Sequence, residues 1–122
     1  MDDVTVRTGD SREFRTRERC HITELINDPQ TGEFSLAEAR VEPGVTTELH
    51  WLEVAEWYVI RRGVGRIEVG GKPWLDVAPG DFVAIPAGIS QRIENTGRDD
   101  LVFQCICLPR FTPERYVSLE EP

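Results

Sequence analysis

The sequence predicts an all-β protein, a barrel or sandwich built as one domain over residues 1–122. Two observations carry this expectation. Strand-like runs are short, and turn signals return about every eight to twelve residues. The run Gly65 to Val69 also alternates Arg66 and Glu68 with Ile67 and Val69, the period of a strand with one buried face, and Gly70-Gly71 closes it as a two-residue hairpin signal.

The remaining elements follow in chain order. Cys20 to Ile26 reads as a strand, and Asn27-Asp28-Pro29-Gln30-Thr31-Gly32 as a turn by composition. Phe34 to Val41 is the returning strand, stopped by Glu42-Pro43-Gly44. Leu49 to Leu52 and Glu56 to Ile60 are short strands with a tight connection. Trp74 to Val77 follows the glycine pair, ended by Pro79-Gly80. Phe82 to Ile85 is an apolar run closed by Pro86-Ala87-Gly88. Gln91 to Glu94 leads into Asn95-Thr96-Gly97, read as a further hairpin turn, and Leu101 to Leu108 is the last long strand, stopped by Pro109. After it a short helix or an extended tail is expected: Thr112 can cap, Pro113 suits a first helical position, and Glu114 suits the positive end.

Composition narrows the functional classes. A chain of 122 residues buries roughly two-thirds of its unfolded surface, enough for a core without staples. There is no apolar run of membrane-spanning length, and the acidic Met1-Asp2-Asp3 start lacks the apolar stretch of a signal peptide. Three cysteines, an odd number in a chain without a leader, point to reduced thiols and the cytoplasm. A formal charge of −8 argues against nucleic acid or an anionic membrane as partner, because both require a basic surface. Arg7, Arg12, Arg15, Arg17 and Arg19 are offset by Asp2, Asp3, Asp10, Glu13 and Glu18, which reads as a mixed, solvated face.

Two glycine-punctuated motifs stand out. The first, over 44–63, reads Gly44, five residues, His50, one residue, Leu52, three residues, Glu56, six residues, Gly63. The second, over 80–95, reads Gly80, five residues, Pro86-Ala87-Gly88, two residues, Gln91, three residues, Asn95. Glycine weakens a strand, so four in register mark sharp turns or close backbone approaches. Pro86 fixes φ before the turn at Gly88, and Asn95 is suited to bonding backbone at its turn.

In order and spacing the motifs resemble those of the cupin superfamily, G-x5-H-x-H-x3-E-x6-G followed by G-x5-P-x-G-x2-H-x3-N. With the segment Asn95 to Phe111, the likeness to small single-domain cupins extends from about Phe34 to Tyr116. It implies a double-stranded β-helix, or jelly-roll, barrel. It also implies a divalent metal ion held by three histidines and a glutamate. Here His50 and Glu56 match family ligands, while Leu52 and Gln91 stand where the family usually has histidine. Gln91 offers a neutral amide oxygen, a weaker donor than imidazole for first-row metals, and Leu52 offers no lone pair. The carried-over metal set is thus His50, Glu56 and Gln91.

Side chains on a strand alternate faces. With His50 turned inward, Leu52 also points in, as do Glu56, Tyr58 and Ile60 on the next strand and Gln91 and Ile93 on a later one. Leu49, Trp51, Trp57 and Val59 then form an apolar outer face, covered either by N-terminal strands or by a second subunit in a homodimer. Without a metal, a buried carboxyl beside an imidazole suits general acid–base work. Burial raises the pKa of Glu56, and a protonated His50 would lower it. Tyr58 is placed to donate a hydrogen bond to a developing oxyanion, and Gln91 to orient.

The expected function is a small-molecule enzyme of isomerase, cyclase or lyase type, with His50, Glu56, Tyr58 and Gln91 as its catalytic candidates. Cupins host many activities, so two alternatives stand beside it: a ligand-binding or sensory barrel without turnover, including a relic pocket in which His50 and Glu56 bond each other, and a metal-dependent dioxygenase. Cys105 and Cys107, two apart on one strand, read as core thiols rather than a redox pair, and Cys20 likewise. His21 lies outside the motifs and reads as a satisfied structural histidine. Gly63-Val64-Gly65 lacks the rest of a dinucleotide fingerprint.

Overall fold

A computed structural model describes residue 6 and residues 12–30 and 32–120. Asp2, Asp3, Arg7 and Asp10 of the charged N-terminal face, and Thr31 of the first turn, lie outside the described residues. The strands are β1 (Phe14–Arg15), β2 (His21–Ile26), β3 (Ser35–Val41), β4 (His50–Leu52), β5 (Ala55–Arg62), β6 (Gly65–Val69), β7 (Leu75–Val77), β8 (Phe82–Ile85), β9 (Gln91–Asn95), β10 (Leu101–Leu108) and β11 (Tyr116–Ser118). They form two antiparallel sheets, one ordered β1-β2-β3-β10-β5-β8 and the other β11-β4-β9-β6-β7. The sheets face each other as a jelly-roll barrel. No helix among the described residues is long and apolar enough to cross a membrane.

The alternation expected from sequence sorts inside from outside. Glu56, Tyr58 and Ile60 of β5 are buried and lie opposite Cys107, Cys105 and Phe103 of β10. Ile67 of β6 and Ile93 of β9 face them from the other sheet, and with Val41, Ile85, Leu101 and Phe103 they make the main core. Leu52, Val54 and Cys107, joined by Phe111 and Tyr116, form a smaller cluster. The outer face of the five-stranded sheet is polar: Arg66 pairs with Glu94, Arg92 with Glu68, and both guanidinium groups lie over the Trp74 ring.

Glycine is required at Gly63. Its φ is +80°, and a Cβ there would lie 2.5 Å from the Asp100 carbonyl oxygen and 2.9 Å from Leu101 Cα. Gly70 and Gly71 close their turn at φ +64° and +70°, with Lys72 N–H donating to Val69 O. Asn95 ties three segments: its amide donates to the carbonyls of Val41 and Asp99, and its oxygen accepts from Gly97 N–H.

Three expectations are corrected. Asn95-Thr96-Gly97 is not a hairpin turn, because β9 pairs with β4 and β6 whereas β10 pairs with β3 and β5; the chain crosses between sheets there. The C-terminal helix reduces to a single 3₁₀ turn, Pro113–Arg115, and Thr112 makes no side-chain cap. The β-prone Tyr116–Ser118 then add a strand to β4. Finally, Trp51 and Trp57 do not share an outer face, because β4 and β5 belong to different sheets. Trp57 and Val59 instead join Ala84, Phe82 and Ile106, their cross-strand partners or partners' neighbours, on the outside of the six-stranded sheet.

Candidate functional site

A cavity of about 400 Å³ opens between the sheets. His50, Leu52, Glu56 and Tyr58 line it, as the alternation required. Phe103, Phe111, Tyr116, Ile22, Ile26 and Ala37 make the rest of the wall largely apolar. Gln91 does not line the cavity. It is 1% exposed and sits behind Tyr58 and Glu56.

His50 is held from two sides. Its Nδ1 lies 2.7 Å from the Glu48 carbonyl oxygen, and since a carbonyl only accepts, Nδ1 carries the proton. Nε2 is then the basic nitrogen of the neutral ring. Tyr116 of the unexpected strand β11 stacks on the imidazole, with centroids 4.5 Å apart and an interplanar angle of 16°. Burial holds the His50 pKa below its ordinary value, against the opposing bond to Glu48 O, which keeps the ring neutral.

Glu56 ends a hydrogen-bonded chain. Tyr58 O–H donates to Gln91 Oε1 at 2.6 Å, and Gln91 Nε2–H donates to Glu56 Oε1 at 2.9 Å. The Cys107 thiol lies 3.7 Å from Glu56 Oε2. Burial pushes the Glu56 carboxyl up to about 7, although the bonds from Gln91 and Cys107 pull the other way. The Tyr58 proton is therefore committed to Gln91 rather than offered to the cavity, and burial pushes the phenol well above its usual range. His50 and Glu56 share the cavity, but each bonds elsewhere.

The main residue missed from sequence is Glu18. β1 and β2 form a hairpin whose tip, Thr16 to Cys20, leans across to the other sheet. Thr16 Oγ1 accepts from Glu18 N–H and donates to the Cys20 carbonyl. Arg19 adopts φ +69°, a conformation non-glycine residues rarely take, and is clamped by Thr46 O and the Glu120 carboxylate. Glu48 N–H donates to Glu18 O. This clasp turns the Glu18 side chain, 22% exposed, into the cavity with Oε1 3.8 Å from His50 Nε2. Burial, then the neighbouring Glu56 and Glu48 carboxyls, push Glu18 up to about 8, against the pull of Arg17. No periodicity signals this residue, because one acid among arginines in the turn after a two-residue strand has the composition of a solvated surface.

The other candidates fall into structural roles. Glu48 is buried, yet the Tyr116 and Ser118 hydroxyls and Arg17 outweigh its desolvation and keep its pKa low. His21 is satisfied by Glu42, with Nε2 to Oε1 at 3.1 Å. Cys20, Cys105 and Cys107 are free thiols on the cavity wall, and burial raises each pKa, which makes them poor nucleophiles.

The resemblance implied a divalent ion on His50, Glu56 and Gln91. The donors as arranged do not fit one. Gln91 turns its oxygen to Tyr58 and its N–H to Glu56, so both groups are spent on each other, and Leu52 presents an alkyl surface. Among the described residues, no group of three or more His, Cys, Asp or Glu is placed to hold a metal.

Residues 37–107 match the family model for the cupin domain. The chain belongs to the cupin family. Among curated proteins, none matches the sequence. Among solved structures, this cupin resembles oxalate decarboxylase from Bacillus subtilis, with a TM-score of 0.80 and 23% identity. That match covers 97% of this chain and 34% of the decarboxylase, so the chain spans about a third of its length. A predicted oxalate decarboxylase from Thermotoga maritima matches with a TM-score of 0.74 and 24% identity over 87% of this chain and 99% of that one. The polyketide cyclase RemF from Streptomyces resistomycificus matches with a TM-score of 0.78 and 20% identity over 98% of this chain and 88% of that one. At these identities the likeness is one of fold.

Proposed function

We propose that this cupin is a small-molecule enzyme that performs acid–base chemistry of isomerase, cyclase or lyase type on an uncharged ligand. The observation that carries the reading is the fixed tautomer of His50, which leaves Nε2 basic in a mainly apolar cavity. Glu56, bonded by Gln91, which Tyr58 fixes in turn, lies on the same wall with its carboxyl raised to about 7 by burial, so it is partly protonated at neutral pH. Gln91 acts as an orienting residue and Tyr58 as the donor that fixes it.

Ligand charge supports a cyclase-like over an oxalate-like substrate. The one cationic side chain among the described residues lining the cavity, Arg17, pairs with Glu48 at 3.4 Å. With that cation already paired, a small dianion would find no free counter-charge among the described lining residues, whereas the aromatic wall suits an apolar body. An oxygen-activating metal would need firmer donors than the spent Gln91–Glu56 pair.

A thermal-shift screen of uncharged carbonyl compounds and of dicarboxylates tests this, followed by mass-spectrometric analysis for turnover. Uncharged ligands should stabilise the protein, with the effect lost in His50→Ala. Stabilisation by oxalate, or a first-row metal near one per chain in tag-free protein, would refute the proposal.

A further inference from the structure

We propose that Glu18 is the proton donor that works opposite His50, and that their shared ligand is a carbonyl compound with an acidic C–H beside the carbonyl. The inference rests on the acid–base reading above. It adds a residue outside both motifs and narrows the substrate class.

Two unspent groups point to it. Glu56, Gln91, Tyr58 and Glu48 are bonded to one another or to neighbouring side chains. Among the described residues the Glu18 carboxyl has no hydrogen-bond partner, and Nε2 of His50 accepts none either, with Glu18 Oε1 3.8 Å away. The 3.8 Å between Oε1 and Nε2 is too long for a direct hydrogen bond, so each group keeps its capacity for a ligand. The spacing lets one acid and one base reach two atoms separated by a single atom in the same molecule. The hairpin clasp, with Arg19 at positive φ and tied to Thr46 and Glu120, positions Glu18 from the sheet opposite to that of His50.

The proton inventory balances without a further reactant. Nε2 takes the proton from the carbon beside the carbonyl, and the C–H electron pair becomes the C=C bond. The carbonyl π pair moves onto oxygen, which takes the Glu18 proton, and the ligand becomes a neutral enol. The protein is left with an imidazolium beside a carboxylate, so no net charge is created in the apolar cavity. In the return step the imidazolium delivers its proton to carbon, at a different position or face, while the enol O–H proton goes back to the Glu18 carboxylate and the C=O bond re-forms, which restores both groups and yields an isomer.

The test uses 2-indanone, an uncharged enolisable ketone, and follows exchange of its α-protons in deuterated neutral buffer by proton NMR. Its binding is measured in parallel by calorimetry. Wild type should exceed the buffer rate, and Glu18→Gln should lose at least about tenfold of that excess while binding changes less than about threefold. Glu18→Asp, which keeps a carboxyl, should recover part of the loss, as a merely structural role would not. If Glu18→Gln exchanges within about twofold of wild type while His50→Ala falls to the buffer rate, Glu18 is not the donor and the base assignment survives. If wild type does not exceed buffer, or His50→Ala matches wild type, both the inference and the reading beneath it are overturned.

Discussion

Replacing Glu56 by glutamine should flatten the pH dependence of stability, because the buried carboxyl holds a proton that the unfolded chain releases. Its pKa is raised from 4.5 to about 7 by burial. A raised folded pKa contributes stability that is complete below the unfolded value and is lost as pH rises through the folded one. With the sequence pI near 4.7, measurements are best begun at pH 5.5, where solubility is better. Between pH 5.5 and 8.5 only the interval up to about 7 counts. One and a half pH units at 1.36 kcal/mol each make about 2 kcal/mol lost by wild type and retained by Glu56→Gln. Glutamine can still accept from Gln91, so the packing of the pair is preserved. Urea unfolding at the two pH values measures the difference directly, and in melting temperature it amounts to about 8 °C. Comparing the same two proteins cancels the other titrating groups. Profiles that run parallel within about 0.5 kcal/mol would refute the claim that Glu56 is protonated by burial.

Gly63→Ala should cost more than about 2 kcal/mol in chemical denaturation, since the added carbon meets the Asp100 carbonyl and the φ is positive. The apolar outer face of the six-stranded sheet, where Phe82 is 65% exposed beside Trp57, Val59 and Ile106, supports a homodimer through that face. Sedimentation should give a dimer for wild type and a monomer for Phe82→Glu, and a wild-type monomer would reject the interface. Leu52→His combined with Gln91→His restores the family ligand pattern and releases Glu56. The double variant should bind cobalt or zinc at least about a hundredfold more tightly than wild type by calorimetry, and equal affinities would mean that the Gln91–Glu56 bond is not what weakens the site.

Most strands were legible because their period-two pattern and turn chemistry agree. Gly65–Val69, Phe82–Ile85 and Leu101–Leu108 end where the sequence places them. The inward set of His50, Leu52, Glu56 and Tyr58 followed from alternation once the motif likeness turned His50 and Glu56 inward. What alternation cannot convey is which sheet a strand joins. That is why Trp51 and Trp57 were grouped, and why the crossover after Asn95 read as a hairpin. Nor does it convey what a side chain bonds: Gln91 shares the inward face yet ends behind the cavity wall, because Tyr58 and Glu56 flank it and consume its amide. Tyr116 and Glu18 lie far from the motifs in sequence, and only long-range pairing brings them to His50.

The changes at 52 and 91 act together. An imidazole at either position would leave a buried lone pair or N–H seeking a partner. Leucine removes that demand at one position, and at the other glutamine meets both the phenol of Tyr58 and the carboxyl of Glu56. The result is a wall whose buried polar side-chain atoms all have partners among the described residues. A self-satisfied wall leaves the reactive capacity of the cavity to the groups that are not bonded within it: Nε2 of His50, oriented by Glu48 and Tyr116, and the carboxyl of Glu18, carried in from the opposite sheet. The barrel thus keeps the place where its family resemblance puts a metal, while the donors there are rearranged into an acid facing a base.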